Sequence, residues 1–222
     1  MIPRTLIDST EIPGGGTLKL IRRGTEFSIT LANNELMNSR MSGSEEALAT
    51  LACARIAGRR APRILIGGLG MGFTLRAALG ALPADAAILV AELVPAVIAW
   101  GHGPLADLFG DSLADPRVTM FEGDVAIPLR DPGTGYDAIL LDVDNGPDGL
   151  SRPGNDALYG AFGLRAARNA LRPGGVLTVW STAPDAAFVQ RLRDAGFTVR
   201  EEIVRANGAR GGARHIVWLA TL

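Results

Sequence analysis

Cysteine is nearly missing from this chain. Its 222 residues include one, Cys53, which excludes a disulfide framework and a cysteine-based zinc site. In its Ala- and Leu-rich surroundings Cys53 reads as a core thiol. A basic field is missing too: 22 Lys and Arg against 23 Asp and Glu leave a net charge of -1. That is too little for broad capture of nucleic-acid backbone, so no nucleic-acid partner is expected. The opening MIPRTLIDST lacks a signal-peptide apolar run, and no stretch of about 20 apolar residues could span a bilayer. We therefore expect a cytoplasmic protein with no membrane partner. No His, Cys and carboxylate cluster has metal-ligand spacing, and no G-x-S-x-G nucleophile elbow occurs. No metal is expected.

Glycine, by contrast, is abundant: 28 of the 222 residues, well above the usual share of roughly 7%. With 47% hydrophobic and 20% charged residues the chain can bury a sizeable core, so these are not the glycines of a disordered or collagen-like sequence. Their placement is informative. Gly14–Gly16 lead into two alternating stretches, 17–22 and 26–31, around a turn at Gly24, which reads as a β-hairpin. We take 1–43 as an N-terminal β-hairpin module and 44–222 as the main domain. Ser44 can cap a helix running to about Gly58, with Glu45 and Glu46 in its first turn, where the helix dipole favours negative charge. Short apolar runs then recur at 62–67, 86–92, 117–121, 136–142, 175–181, 197–204 and 214–220. Helix-length segments at 72–81, 95–109, 155–171 and 185–195 separate most of them. The last two strands have only an Asn207-Gly208 and Gly211-Gly212 loop between them, so the final strand should enter antiparallel. The expected fold is α/β, a doubly wound Rossmann-like sheet of seven strands.

The strongest local signal is Gly67-Gly-Leu-Gly-Met-Gly72 between the first strand of that sheet and a helix. Gly67, Gly68, Gly70 and Gly72 would let backbone N–H groups, that of Leu69 included, approach a ligand at the positive end of a helix. A tight strand-to-helix turn is the structural alternative. The spacing is G-x-G-x-G, with Phe73 where a dinucleotide fingerprint needs its third glycine. A nucleoside without pyrophosphate is thus the better guest, and a nicotinamide oxidoreductase the last choice. Glu92, followed by Leu93, ends the next strand and can accept both ribose hydroxyl protons. Gly123, Asp124 and Val125 end the third, where Asp124 either receives an adenine amino group or caps the following helix. Asp142 ends the buried strand 136–142, facing the same crevice as a base or orienting group. The loop 144–155 after it, with Asp144, Asn145, Gly146 and Gly149, reads as a lid; for Asp148 ordinary turn chemistry is preferred. Trp180, closing the fifth strand, either lines the pocket or packs in the core. His102 and His215 read as surface and packing residues.

Together these stretches, with Val90-Ala-Glu92, Glu122-Gly-Asp124 and Tyr136-Asp-Ala-Ile-Leu-Leu-Asp142, resemble the spermidine synthase group of class I S-adenosylmethionine-dependent transferases. The N-terminal hairpin, the Ser44-Glu45-Glu46 helix start and Leu171-Arg-Pro-Gly-Gly-Val176 share the likeness. The resemblance implies that Gly68, Gly70 and Gly72 approach the donor arm and ribose, that Glu92 holds the ribose hydroxyls, and that Asp124 and Val125 hold the adenine. It also implies that Asp142 activates an attacking amine, and that the protein is a homodimer. The departures lie in the same places. Gly70 stands where the family carries the aspartate that binds the aminopropyl ammonium, and Ser44 where it carries a tyrosine. Asn145 stands in place of a second acid, with Asp144 one position before it, and the glutamine expected after the fifth strand is missing near Trp180-Ser181. A polycation needs several carboxylates, each worth one to two decades of affinity. The expectation is therefore a methyltransferase using ordinary S-adenosylmethionine and a small-molecule acceptor, with Asp142 and Asp144 as catalytic residues. The alternatives are aminopropyl transfer from decarboxylated S-adenosylmethionine to a diamine, as in polyamine biosynthesis, and a non-catalytic nucleoside-binding module.

Overall fold

The computed structural model describes residues 2–32, 34–143 and 157–222. The N-terminal segment is larger than a hairpin. Strands β1 (Thr5–Glu11), β2 (Thr17–Arg23), β3 (Glu26–Leu31) and β4 (Asn34–Asn38) form one antiparallel sheet in the order β1-β2-β3-β4. The expected turn at Gly24 joins β2 to β3, pairing Arg23 with Glu26, and β1 and β4 add one strand to each side. Leu18, Leu20 and Ile29 are buried in a hydrophobic cluster shared with the main domain. A two-stranded ribbon would be marginal alone; here the sheet is held by that common core.

Helix α1 (Gly43–Arg55) follows. Its N-cap is Ser42, so Ser44 lies inside the first turn and is not the cap. The rest alternates strand and helix: β5 (Arg63–Gly67), α2 (Phe73–Ala81), β6 (Ala87–Glu92), α3 (Pro95–His102), α4 (Ala106–Phe109), β7 (Val118–Glu122), α5 (Ala126–Arg130), β8 (Tyr136–Leu141), α6 (Ala161–Ala170), β9 (Leu171–Ser181), α7 (Ala186–Asp194), β10 (Thr198–Arg205) and β11 (Arg214–Thr221). Where one helix was expected over 95–109 there are two. Pro104 supplies no N–H and disfavours the helical conformation at the residue before it, so the chain breaks at Gly103.

The second sheet runs β10-β11-β9-β8-β5-β6-β7. β5, β6, β7, β8 and β9 are parallel; β11 enters antiparallel between β9 and β10, as the helix-free loop predicts. Both faces are covered, and the side chains sort by period two. Ile64, Ile66, Ala138 and Leu140 join the core on the α1–α3 side. Leu65, Ile139 and Leu141 join that on the α5–α7 side. Every residue of β8 is buried, which explains why its apolar run ends abruptly in an aspartate at the sheet edge. Among the described residues no helix is long and apolar enough to cross a membrane.

Some loop glycines serve protein contacts. At Gly72, φ is +76° and an added Cβ would strike the Phe109 ring. Gly72→Ala should destabilise the fold by about 2–4 kcal/mol through backbone strain and overpacking. Chemical denaturation would check this, and an unchanged midpoint would show that the α2 start is loosely packed.

Candidate active site

The carboxyl ends of β5, β6, β7 and β8 converge at one edge of the sheet. Hydrogen bonds tie the ends together: Gly68 N–H to the Ala91 carbonyl at 2.8 Å, Gly123 N–H to that of Glu92 at 2.8 Å, and Asp142 N–H to that of Gly67 at 2.9 Å. Between this edge and the N-terminal sheet lies a cavity of about 160 Å³. Its floor carries Gly68, Gly70, Glu92, Leu93, Gly123, Asp124, Val125 and Asp142. Its other wall is aliphatic: Ile12, Leu18, Ile29, Leu31, Leu36 and Met37.

Glu92 is 7% exposed. Its two oxygens accept the Leu69 N–H at 2.9 Å and the Val94 N–H at 2.8 Å. Burial pushes its pKa up, while these backbone donors pull it down. Asp124 accepts the Ala126 N–H at 2.8 Å through Oδ1; it lies one residue before the α5 N-cap, which is Val125, and lines the cavity. Asp142 Oδ2 accepts a 2.6 Å hydrogen bond from the Thr74 hydroxyl. Burial first, and then the negative field of Glu45, push the Asp142 pKa up to about 7; the Thr74 bond acts the other way.

Other residues singled out from sequence do different work. Gly67 sits under Val125 and Leu141. Gly68 has φ +90°, and a Cβ there would strike the Asp142 carbonyl oxygen; its glycine lets β5 and β8 end side by side. Gly72 packs on Phe109. Leu69 is buried and contributes its N–H to Glu92. Gly70, with φ +52°, does face the cavity, where a Cβ would lie 2.9 Å from Met37 Sδ. Trp180 is outside the cavity lining, edge-on to the His215 ring at 4.9 Å between centroids. Asp144, Asn145, Gly146, Asp148, Gly149 and the rest of the expected lid up to 155 fall outside the described residues. Glu45 is the neighbour of the site that sequence reasoning missed. It is outside the cavity lining, but Thr74 touches both its carbonyl and Asp142, and its charge acts on the Asp142 carboxyl.

No family model matches the chain. In sequence it is 33% identical over 145 residues to the polyamine aminopropyltransferase of Mycobacterium tuberculosis (strain CDC 1551 / Oshkosh) and equally to that of Mycobacterium bovis (strain ATCC BAA-935 / AF2122/97). The chain is homologous to polyamine aminopropyltransferases. The match covers 61% of this chain but only 27% of those relatives, so the chain spans about a quarter of their length. In structure it superposes with a TM-score of 0.77 and 18% identity on the spermidine synthase of Thermotoga maritima, over 97% of this chain and 72% of that one. A spermidine synthase in complex with the transition-state analogue AdoDATO gives a TM-score of 0.76 at the same coverage. The spermidine synthase fold, N-terminal strands included, is therefore present.

The methyltransferase expectation drawn from Gly70 is corrected by this homology, since the matched relatives are polyamine aminopropyltransferases. The cavity explains why Gly70 misleads. Among the described residues no Arg, Lys or His lines it, whereas Glu92, Asp124 and Asp142 do. Among the described lining residues a donor carboxylate would meet three acids and no cation, so loss of one loop aspartate does not by itself make the site complementary to a carboxylate.

Proposed function

We propose that this chain is an aminopropyltransferase that takes decarboxylated S-adenosylmethionine as donor and a diamine or polyamine as acceptor. The observation that carries the reading is Asp142, a carboxyl at the cavity floor whose proton affinity burial has raised into the neutral range. The residues present suit the adenosyl group. Glu92 offers its carboxylate to the ribose hydroxyls, Gly123 and Val125 flank the adenine, and Asp124 retains an oxygen for the adenine amino group. The aliphatic wall shields the reacting centre from water.

An acceptor amine arrives as an ammonium and must lose a proton before its lone pair can attack. Asp142 takes that proton. The amine nitrogen then bonds to the aminopropyl carbon, the carbon–sulfur bond breaks, and its electron pair stays on sulfur. The products are the thioether methylthioadenosine and an amine lengthened by one aminopropyl unit, with the released proton passing from Asp142 to solvent. Positioning supplies most of the remaining acceleration.

The test is incubation with decarboxylated S-adenosylmethionine and a diamine, followed by mass spectrometry. We expect methylthioadenosine and aminopropylated amine in equal amounts, and no methylated amine from ordinary S-adenosylmethionine. Absence of both products at stoichiometric enzyme would overturn the reading.

A further inference from the structure

Glu92 and Asp137, the two acids buried in the core, each have evident partners. Glu92 takes two backbone N–H groups, and Asp137 takes Arg59 at 2.5 Å and Arg172 at 2.7 Å. Asp142 and Glu45 are different. Among the described residues neither forms an ion pair with an arginine or lysine, and Asp142 Oδ1 accepts no hydrogen bond although the residue lines the cavity. Glu45 stands just behind the lining, linked to Asp142 through Thr74 and acting on it by charge, and two neighbouring carboxyls without a counter-charge are costly to maintain.

Yet Glu45 is held in place deliberately. Its Oε2 accepts a 2.6 Å hydrogen bond from the hydroxyl of Ser44, a residue 1% exposed. Behind Ser44 stands His215 from β11, with Nδ1 2.9 Å from the same hydroxyl oxygen. Since Ser44 gives its one proton to Glu45, its oxygen must accept from His215, which fixes the tautomer with the proton on Nδ1. Thr74 gives its proton to Asp142 and lies 3.4 Å from the Glu45 carbonyl. A first-turn glutamate serving only the helix dipole needs none of this, as exposed Glu46 beside it shows.

We propose that Glu45 and Asp142 form a two-carboxylate clamp for one primary ammonium group, with Ser44 and His215 as positioning residues for Glu45. The clamp rests on the aminopropyl-transfer reading of the crevice. It supplies the negative charge that Gly70 does not. The ammonium has two possible sources, the aminopropyl end of the donor or an amine of the acceptor. Burial raises the pKa of both carboxyls, and like charge adds to it, from Glu45 on Asp142 and from Glu46 on Glu45. Among the described residues the groups facing the pair are Ser44 and Glu46 from α1, Thr74 from α2 and, through Ser44, His215 from β11, which burial keeps neutral. None is a cation at neutral pH, so an arriving ammonium should expel protons.

Isothermal titration of the full chain tests the clamp with three ligands: methylthioadenosine, decarboxylated S-adenosylmethionine, and a diamine added to protein saturated with methylthioadenosine. Glu45→Gln should bind methylthioadenosine like wild type and lose about ten- to hundred-fold in affinity for one ammonium ligand, the scale of one charge-assisted bond. The ligand that loses affinity identifies the source. Glu45→Asp should recover part of the loss, and Ser44→Ala should lose only about threefold. The dependence of binding enthalpy on buffer ionisation should show proton release in wild type and less in Glu45→Gln, which a purely structural role would not produce. Affinities for both ammonium ligands within twofold of wild type in Glu45→Gln would overturn the clamp alone. Wild-type binding of methylthioadenosine but of neither ammonium ligand would overturn the aminopropyl-transfer reading, and the clamp with it.

Discussion

Asp142→Asn should abolish turnover and stabilise the protein at the same time. The catalytic loss is expected to be at least about 100-fold, the scale of general-base removal, with methylthioadenosine affinity retained because the change leaves Glu92 and Asp124, the residues we propose for the nucleoside end, untouched. The stability gain follows from proton linkage. In the unfolded chain this carboxyl titrates near 4; in the folded protein its pKa is pushed up to about 7. Between those values the native state binds the extra proton, so native stability is lost as pH rises from about 4 to about 7. An asparagine carries no such penalty and can still accept the Thr74 hydrogen bond. The variant should therefore gain up to about 4 kcal/mol over wild type at pH 8 and nothing below pH 4. Denaturation midpoints at the two pH values check the second effect. Wild-type turnover should itself rise with pH, half-maximal at about 7 and levelling off about one unit higher, if Asp142 acts as the ionised base we propose. Retained turnover in the variant would remove Asp142 from the chemistry.

The largest purely structural effect should come from Asp137→Ala, at the opposite end of β8. Asp137 has a side chain 4% exposed and binds Arg59, Arg172 and the Arg63 N–H, the last at 2.7 Å. It thereby ties the segment after α1 to the starts of β5 and β9. Its removal strands two guanidinium groups and a backbone donor. We expect a loss of about 3 kcal/mol, the lower end for breaking a buried pair, because both arginines keep some solvent. Thermal unfolding at pH 7 measures it. A shift below about 1 kcal/mol would show that water replaces the carboxylate without cost, and turnover of the folded fraction should be unchanged.

The parts of the fold legible in the sequence were those where burial writes a periodic pattern. β5, β6 and β8 lie in the sheet interior, and their continuous apolar runs give each strand end to within a residue or two. The same logic put Glu92 and Asp142 at the sheet edge, because each acid comes directly after such a run. β1 and β4 were illegible. Most of β1 faces solvent, with Leu6 56% exposed, and β4 opens and closes with asparagine; each exists because an edge of the β2–β3 pair was open to it. Glycine spacing was half informative. Gly70 faces the cavity as expected, but Gly68 and Gly72 answer to the Asp142 carbonyl and the Phe109 ring. Sequence cannot separate a glycine that admits a ligand from one that admits another part of the chain. Glu45 was hidden for the reverse reason, since a generic helix effect already accounted for it.

The first turn of α1 is gripped by the far end of the chain. Gly43 N–H bonds the Ala206 carbonyl at 2.8 Å, Gly43 lies so close to Gly208 that no side chain fits between them, and His215 backs Ser44. The β10–β11 hairpin, remote from the glycine loop in sequence and at the outer edge of the sheet, thus sets the placement of an acid beside Asp142. Synthesis proceeds from the N-terminus, so the strand ends that carry Glu92, Asp124 and Asp142 are made well before the β10–β11 hairpin that fixes Glu45 beside them. His215→Ala should accordingly leave a protein that holds adenosine derivatives yet distinguishes a charged amine from a neutral one less sharply.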